Sequence, residues 1–143
     1  MIDGIIFDKD GTLFDFRRSW GAWAQSLLDE LAPTAERRAE LGRAIGFDPA
    51  TGQFAADSTV IAGTPDQIAE DLMPCFPGAD GPAMIARINR LAAAAPMVPA
   101  VDLRAVLGAL RDRGLILGVA TNDAEAPAHA HLCLLYTSDA ADE

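Results

Sequence analysis

The chain has 143 residues, a length that fits one domain with a modest core. Half of its residues are apolar, but no stretch reaches the roughly 18 uninterrupted apolar residues that a membrane helix needs. The formal net charge of −10 argues against binding to nucleic acid or to an anionic membrane. No secretory signal is found, and two cysteines are too few for a disulfide framework. The composition predicts a soluble, cytoplasmic protein and leaves its oligomeric state open.

The first predicted element is a buried strand over residues 3–8, a short apolar run that ends on a carboxylate. After it the period changes to that of a helix that stops before Pro33. The apolar residues that share one face of this helix are Trp20, Trp23, Leu27, Leu28 and Leu31. A second helix is predicted over residues 34–45, ending at Gly46.

Two further helices are predicted before residue 97. One begins with a capping-box pattern from Thr64 to Gln67, with proline at the first helical position. The other covers residues 82–95 and ends at a proline. Residues 16–96 are therefore predicted to be an all-helical insert, called the helical insert below. Its predicted loops are residues 46–54 and 74–82.

The remaining elements predict an α/β fold. Apolar residues at positions 106, 107 and 110 indicate a helix closed by Gly114, and residues 115–120 predict a second buried strand. A helix followed by a strand is half of a βα-type parallel unit. Another helix is predicted near residues 124–132. The expected fold class is thus α/β, a parallel sheet with inserted helices.

Three aspartates, Asp8, Asp10 and Asp15, lie on and just after the end of the first strand. The carboxyl ends of strands are where open α/β sheets place ligands. Since residues i and i+2 of an extended segment point the same way, the carboxylates of Asp8 and Asp10 should converge. Two like charges held together favour a cation such as Mg²⁺ between them. One carboxylate can then act as a nucleophile and the other as a general acid/base, the alternative being an Asp-rich turn that only closes a loop.

These residues resemble the motifs of a known family. Residues 8–15, DKDGTLFD, resemble motif I of the haloacid-dehalogenase-like hydrolase superfamily, and residues 117–123, LGVATND, resemble its motif II. Residues 16–96 resemble the type-1 cap of its phosphoglycolate-phosphatase-like subgroup. The resemblance implies a partial Rossmann-like parallel sheet, built from residues 1–15 and 97–132, with an inserted α-helical cap.

The resemblance also implies roles for single residues. Asp8 would be the nucleophile and a Mg²⁺ ligand, and Asp10 the general acid/base and a second metal ligand through its backbone carbonyl. Thr121, Asn122 and Gly11 would form the phosphate-binding set. Dehalogenase members lack an acid at the position of Asp10, so a Mg²⁺-dependent phosphatase is expected, acting on a small phosphorylated metabolite through an aspartyl-phosphate. A phosphomutase and a non-catalytic member that binds phosphate or protein are the alternatives.

Four other polar residues are expected to take no part in catalysis. Asp15 is expected to order the loop after motif I. Lys9, the only lysine, should point away from both adjacent aspartates if the segment is extended. His129 and His131 are expected on an exposed helix, facing different sides rather than forming a metal pair.

Four residues near motif I carry an open alternative. Trp20 and Trp23 are expected in the core because an aromatic stripe at helical spacing is typical of buried faces, and contact with substrate is the alternative. Arg17 and Arg18 are expected in a solvated loop, with contact to a substrate anion as the alternative.

The end of the sequence lacks parts that the resemblance requires. No lysine or arginine follows Thr121, so the motif III cation is absent from these residues. Residues 133–143, CLLYTSDAADE, resemble one reading frame of a transposase adapter used to prepare sequencing libraries, and their acids resemble motif IV only superficially. We therefore predict that residues 133–143 are a non-native tail and that the chain is an inactive, C-terminally truncated fragment with uncovered strand edges.

Overall fold

The computed structural model describes residues 1–133, which form a mixed α/β structure. The strands are β1 (Gly4–Asp8), β2 (Phe47–Asp48), β3 (Gln53–Phe54) and β4 (Ile116–Ala120). The helices are α1 (Phe16–Leu31), α2 (Ala35–Ala44), α3 (Thr59–Ala62), α4 (Pro65–Leu72), α5 (Gly81–Ala93), α6 (Leu103–Asp112) and α7 (Glu125–Cys133). A 3₁₀ turn, Met73–Cys75, follows α4. The predicted tail lies outside the described residues except for Cys133.

Strands β1 and β4 pair in parallel, as predicted. Their register places Gly4 opposite Ile116 and Asp8 opposite Ala120. A parallel pair needs a crossover connection, here supplied by the helical insert and α6. Because the register aligns the two carboxyl ends, Asp8 and the residue after Ala120 lie at the same edge of the sheet.

The prediction that both strands are buried is wrong. Ile6 and Ile116 expose 77% and 75% of their surface. Within residues 1–133 this sheet has two strands, so neither strand has neighbours on both sides. Apolar side chains of both strands are therefore left exposed within the described residues.

The four predicted helices of the insert are found, and a further short helix, α3, was not predicted. The side chain of Asp15 accepts a hydrogen bond from the Arg18 N–H at 3.0 Å and caps the N-terminus of α1. Asp15 thus orders the segment after the strand, as expected. Thr64 and Gln67 form both hydrogen bonds of a capping box at the start of α4.

Most of the apolar core lies inside the helical insert. The predicted face of α1 is buried, from Trp20 to Leu31. Buried residues of the other elements that pack with this face are Leu41, Ile45, Phe47, Val60, Ile68, Ala69, Leu72, Met84, Ile88 and Ala92. A second, smaller cluster consists of Leu13, Phe14 and Leu103, and Phe7 of β1 packs against it.

The prediction of an all-helical insert is wrong. Strands β2 and β3 form a short antiparallel pair within the predicted loop 46–54. Asp48 accepts a hydrogen bond from the Ala50 N–H at 2.9 Å, and Gly52, at φ 70°, helps to close the turn. The rings of Phe47 and Phe54, 4.8 Å apart, stabilise the pair.

Among residues 1–133, no helix combines the length and the apolar character needed to cross a membrane.

Candidate active site

A cavity of about 490 Å³ lies between the carboxyl ends of β1 and β4 and the helical insert. The sheet side contributes the polar residues Asp8, Asp10, Thr121, Asn122 and Asp123. Apolar residues dominate the insert side: Phe16, Trp20, Trp23, Val60, Ile61, Ala62, Pro65, Ile68, Ile88 and Ala92. The structure thus brings the predicted aspartates and the predicted threonine to one cavity.

A tight turn follows the last residue of β1. The carbonyl oxygen of Lys9 accepts a hydrogen bond from the Phe14 N–H at 3.1 Å, and the Gly11 N–H donates to the Phe14 carbonyl oxygen at 2.8 Å. Gly11 has φ 86°, in the left-handed region that favours glycine. The motif glycine is therefore required by the turn that carries Asp10 to the cavity beside Asp8.

Lys9 is fully buried and its ammonium group is the centre of a polar cluster. Its Nζ donates to Asp10 Oδ1 at 2.8 Å and to His131 Nδ1 at 3.1 Å, and it lies 2.8 Å from Asp123 Oδ2. The contact with Asp123 is an ion pair that lacks hydrogen-bond geometry, because Asp123 Oδ2 accepts no hydrogen bond within residues 1–133. The prediction that Lys9 points away from its neighbours is wrong.

One oxygen of Asp10 is held by two donors. Besides Lys9, the indole Nε1–H of Trp20 donates to Asp10 Oδ1 at 2.8 Å. Trp20 is 6% exposed and lies in the core of the insert, as predicted, yet it also lines the cavity. The two donors fix the orientation of the Asp10 carboxylate and engage one of its oxygens.

His131 joins this cluster to helix α5. Its Nε2 lies 2.6 Å from the carbonyl oxygen of Ala92. A carbonyl only accepts, so Nε2 carries the proton and Nδ1 accepts from Lys9. The prediction of an exposed residue is wrong for His131, which is fully buried, whereas the side chain of His129 is 73% exposed.

Burial shifts the protonation of two members of the cluster. It lowers the pKa of the His131 imidazole, an effect that the hydrogen bond to Ala92 opposes. Burial raises the pKa of the Asp123 carboxyl, and the Lys9 ammonium opposes that shift. A neutral His131 is consistent with an Nδ1 that accepts the Lys9 proton.

The predicted phosphate-binding residues after β4 lie at the cavity. Thr121 Oγ1 accepts a hydrogen bond from the Asp123 N–H at 3.2 Å. The side chain of Asn122 donates to the Ala62 carbonyl oxygen at 2.9 Å, across to the insert. Both residues therefore line the same cavity as Asp8.

The arginines after motif I do not reach the cavity. Arg17 and Arg18 are exposed and are not among the lining residues. They are solvated, as predicted, but they lie in the first turn of α1 and not in a loop.

Comparison with known families assigns the chain. A family model for haloacid dehalogenase-like hydrolases matches residues 2–141.

The chain belongs to the haloacid dehalogenase-like hydrolases.

Membership supports hydrolysis as the general activity. The match extends through residue 141, which includes most of the predicted tail. No curated protein and no solved structure gives a significant match.

The two motif I aspartates of this hydrolase would offer oxygen donors to a hydrated Mg²⁺ ion. Mg²⁺ is commonly bound by one or two carboxylates, with water and substrate phosphate completing its shell. Asp8 would give the ion a carboxylate oxygen and Asp10 its backbone carbonyl oxygen, which leaves the second carboxylate oxygen of Asp10 to carry a proton. No group of three or more His, Cys, Asp or Glu side chains that could hold a metal is found in residues 1–133. Water and phosphate oxygens would supply the other ligands.

Sequence reasoning missed the contacts that join four residues around Asp10: Lys9, Trp20, Asp123 and His131. Lys9 and Asp123 stand inside the two motifs, so their charge near a strand end was a usable signal. The contact between Lys9 and His131 joins residues 122 positions apart. No local pattern could have predicted that pairing.

Acidification from pH 7 to pH 5 is expected to weaken the contribution of His131 to stability. Its pKa in the folded chain lies below the ordinary 6.5, so between these values the unfolded chain binds more protons. The free energy of unfolding therefore decreases as the pH decreases, by at most about 1.4 kcal/mol per pH unit for one group. Urea denaturation at several pH values measures this slope.

The raised pKa of Asp123 acts with the opposite sign, since the folded chain holds the extra proton above the ordinary value of 3.8. The variant His131→Gln separates the two effects, because it keeps Asp123 and removes the imidazole. The stability difference between the parent chain and this variant should shrink as the pH falls from 7 to 5. A difference that stays constant over this range would contradict the assignment.

Proposed function

We propose that the site is that of a Mg²⁺-dependent phosphatase that hydrolyses a small phosphorylated metabolite through an aspartyl-phosphate on Asp8. The observation that carries this proposal is that Asp8 at the end of β1, Asp10 just after it and Thr121 just after β4 all line one cavity. We further propose that the chain is a member of the phosphoglycolate-phosphatase-like subgroup, with residues 16–96 as its type-1 cap, a proposal that motif I and the insert support. Family membership supports hydrolysis as the reaction, and the motif residues support phosphoryl transfer as its chemistry.

In the first step, a carboxylate oxygen of Asp8 attacks the phosphorus atom. The bond from phosphorus to the leaving oxygen breaks, and Asp10 gives that oxygen its proton. The Thr121 hydroxyl donates to a phosphoryl oxygen, where negative charge is concentrated. Mg²⁺, when held by the Asp8 carboxylate and the Asp10 backbone carbonyl, would offset the charge of the phosphoryl oxygens.

In the second step, Asp10 takes a proton from water, and the water oxygen attacks the phosphorus atom. The bond between phosphorus and the Asp8 oxygen then breaks, which releases phosphate and restores both carboxyl groups to their starting states. The fixed orientation of Asp10, held by Trp20 and Lys9, suits a group that must act in both steps.

The test of the nucleophile does not depend on turnover. Beryllium fluoride with Mg²⁺ forms a tetrahedral adduct on a nucleophilic aspartate and mimics its phosphorylated state. We expect ¹⁹F NMR to detect this adduct in the parent chain and not in Asp8→Asn. Asp15→Asn is the matched control, because Asp15 is a helix cap that asparagine can replace.

An adduct that persists in Asp8→Asn would refute the nucleophile assignment. Release of phosphate from monoesters, with and without Mg²⁺, measures turnover separately. The prediction that these 143 residues turn over poorly rests on the missing cation after Thr121, and the same assay tests it.

A further inference from the structure

We propose that the substrate is a phosphate monoester whose leaving group is uncharged and apolar or aromatic, without a second anionic group. This inference deepens the proposed function and rests on it. It follows from the wall of the cavity opposite Asp8, which the helical insert supplies. That wall would contact the part of the substrate beyond the phosphoryl group.

The charges that line the cavity are all negative. Asp8, Asp10 and Asp123 line it, and no lysine, arginine or histidine among residues 1–133 does. The nearby ammonium of Lys9 is fully buried and directed at the polar cluster. A carboxylate on the leaving group would lose water here and find no counter-ion, which is costly.

Three of the uncharged donor groups that line the cavity are already engaged. The indole N–H of Trp20 donates to Asp10, and that of Trp23 donates to the carbonyl oxygen of Ile88 at 3.4 Å. The amide of Asn122 donates to Ala62. Asn89 also lines the cavity: its Oδ1 is buried and without a partner in residues 1–133 and, as an acceptor, would not stabilise an anion, which leaves its uncharged amide N–H group as a donor. Few donors therefore remain for a second anionic group.

The same wall offers favourable contact to an apolar group. The rings of Trp20 and Trp23 meet edge to face at 5.3 Å, and Phe16 lines the cavity beside them. Aromatic and aliphatic groups gain most from burial against such surfaces. A cavity of about 490 Å³ is in the size range of small-ligand sites. Placement in the phosphoglycolate-phosphatase-like subgroup rests on motif I and the insert, and neither determines the leaving group.

The test compares two phosphonates, which bind like phosphate esters and are not hydrolysed. Phenylphosphonate and 4-carboxyphenylphosphonate differ by one carboxylate. With Mg²⁺ present, calorimetry on the full chain should give phenylphosphonate the higher affinity, by about tenfold or more. Equal or tighter binding of the carboxylated ligand would overturn this inference and leave the proposed function intact. Binding of neither would contradict the proposed function, and the inference with it.

A gain of binding provides the second measurement. Ile61 lines the cavity and is 43% exposed, so Ile61→Arg adds a cation where solvent can accommodate it. This variant should bind 4-carboxyphenylphosphonate at least about tenfold more tightly than the parent chain. Val101→Arg is the control, because Val101 is 54% exposed and does not line the cavity. Identical behaviour of the two variants would refute the argument that a missing cation sets the preference.

Discussion

Replacing Lys9 by methionine is expected to lower the free energy of unfolding by about 3–5 kcal/mol. Lys9 is fully buried, and its ammonium contacts one oxygen each of Asp10 and Asp123 at 2.8 Å. Methionine fills a similar volume but leaves two largely buried carboxylates without their cation. His131 Nδ1 also loses its donor. Urea denaturation followed by circular dichroism measures the change.

Two further variants separate this cluster from surface ion pairs. Arg87→Met removes an exposed pair with Glu30 and should cost no more than about 1 kcal/mol. Adding Asp123→Asn to Lys9→Met removes one of the stranded charges and should recover part of the lost stability. If Lys9→Met costs no more than Arg87→Met, the buried ammonium does not stabilise the fold as argued.

Replacing Asp10 by asparagine is expected to reduce kcat by about 10²- to 10⁴-fold, the usual range for loss of a general acid/base. Asparagine cannot exchange the proton, but its amide oxygen can still accept hydrogen bonds from Lys9 and Trp20. The variant should therefore fold like the parent chain. Phosphate release under single-turnover conditions, with the protein in excess, measures even slow chemistry.

The leaving group tells general acid catalysis from another role of Asp10. An ester such as p-nitrophenyl phosphate has an acidic leaving group that needs little protonation, whereas an alkyl phosphate needs more. Asp10→Asn should therefore slow the alkyl ester more than the nitrophenyl ester in the first step. An equal loss for both esters would indicate that Asp10 acts through metal binding or positioning alone.

Local signals made much of the fold predictable. The capping box at Thr64 and the N-cap at Asp15 depend on neighbours within one helical turn, so the sequence displays them directly. The buried face of α1 follows from apolar spacing in the same way. Pairing of β1 with β4 was predictable because a helix precedes the second strand in a typical parallel unit.

The placement of Lys9 failed for an identifiable reason. The expectation that it points away from Asp8 and Asp10 assumed an extended chain through Asp10. Strand β1 ends at Asp8, and the Lys9 carbonyl oxygen instead accepts hydrogen bonds from the Leu13 and Phe14 N–H groups of a turn. Period-two alternation does not apply in such a turn. Its partner His131 comes from α7, a contact that depends on tertiary packing.

Both tryptophans of the chain, Trp20 and Trp23, line the same cavity, and Trp20 is bonded to Asp10. All indole fluorescence of the protein therefore arises from the wall that a ligand would contact. A change in the charge or hydration of Asp10 would reach the indole ring through one hydrogen bond. The protein carries an intrinsic optical reporter of cavity occupancy, which allows titrations without a label.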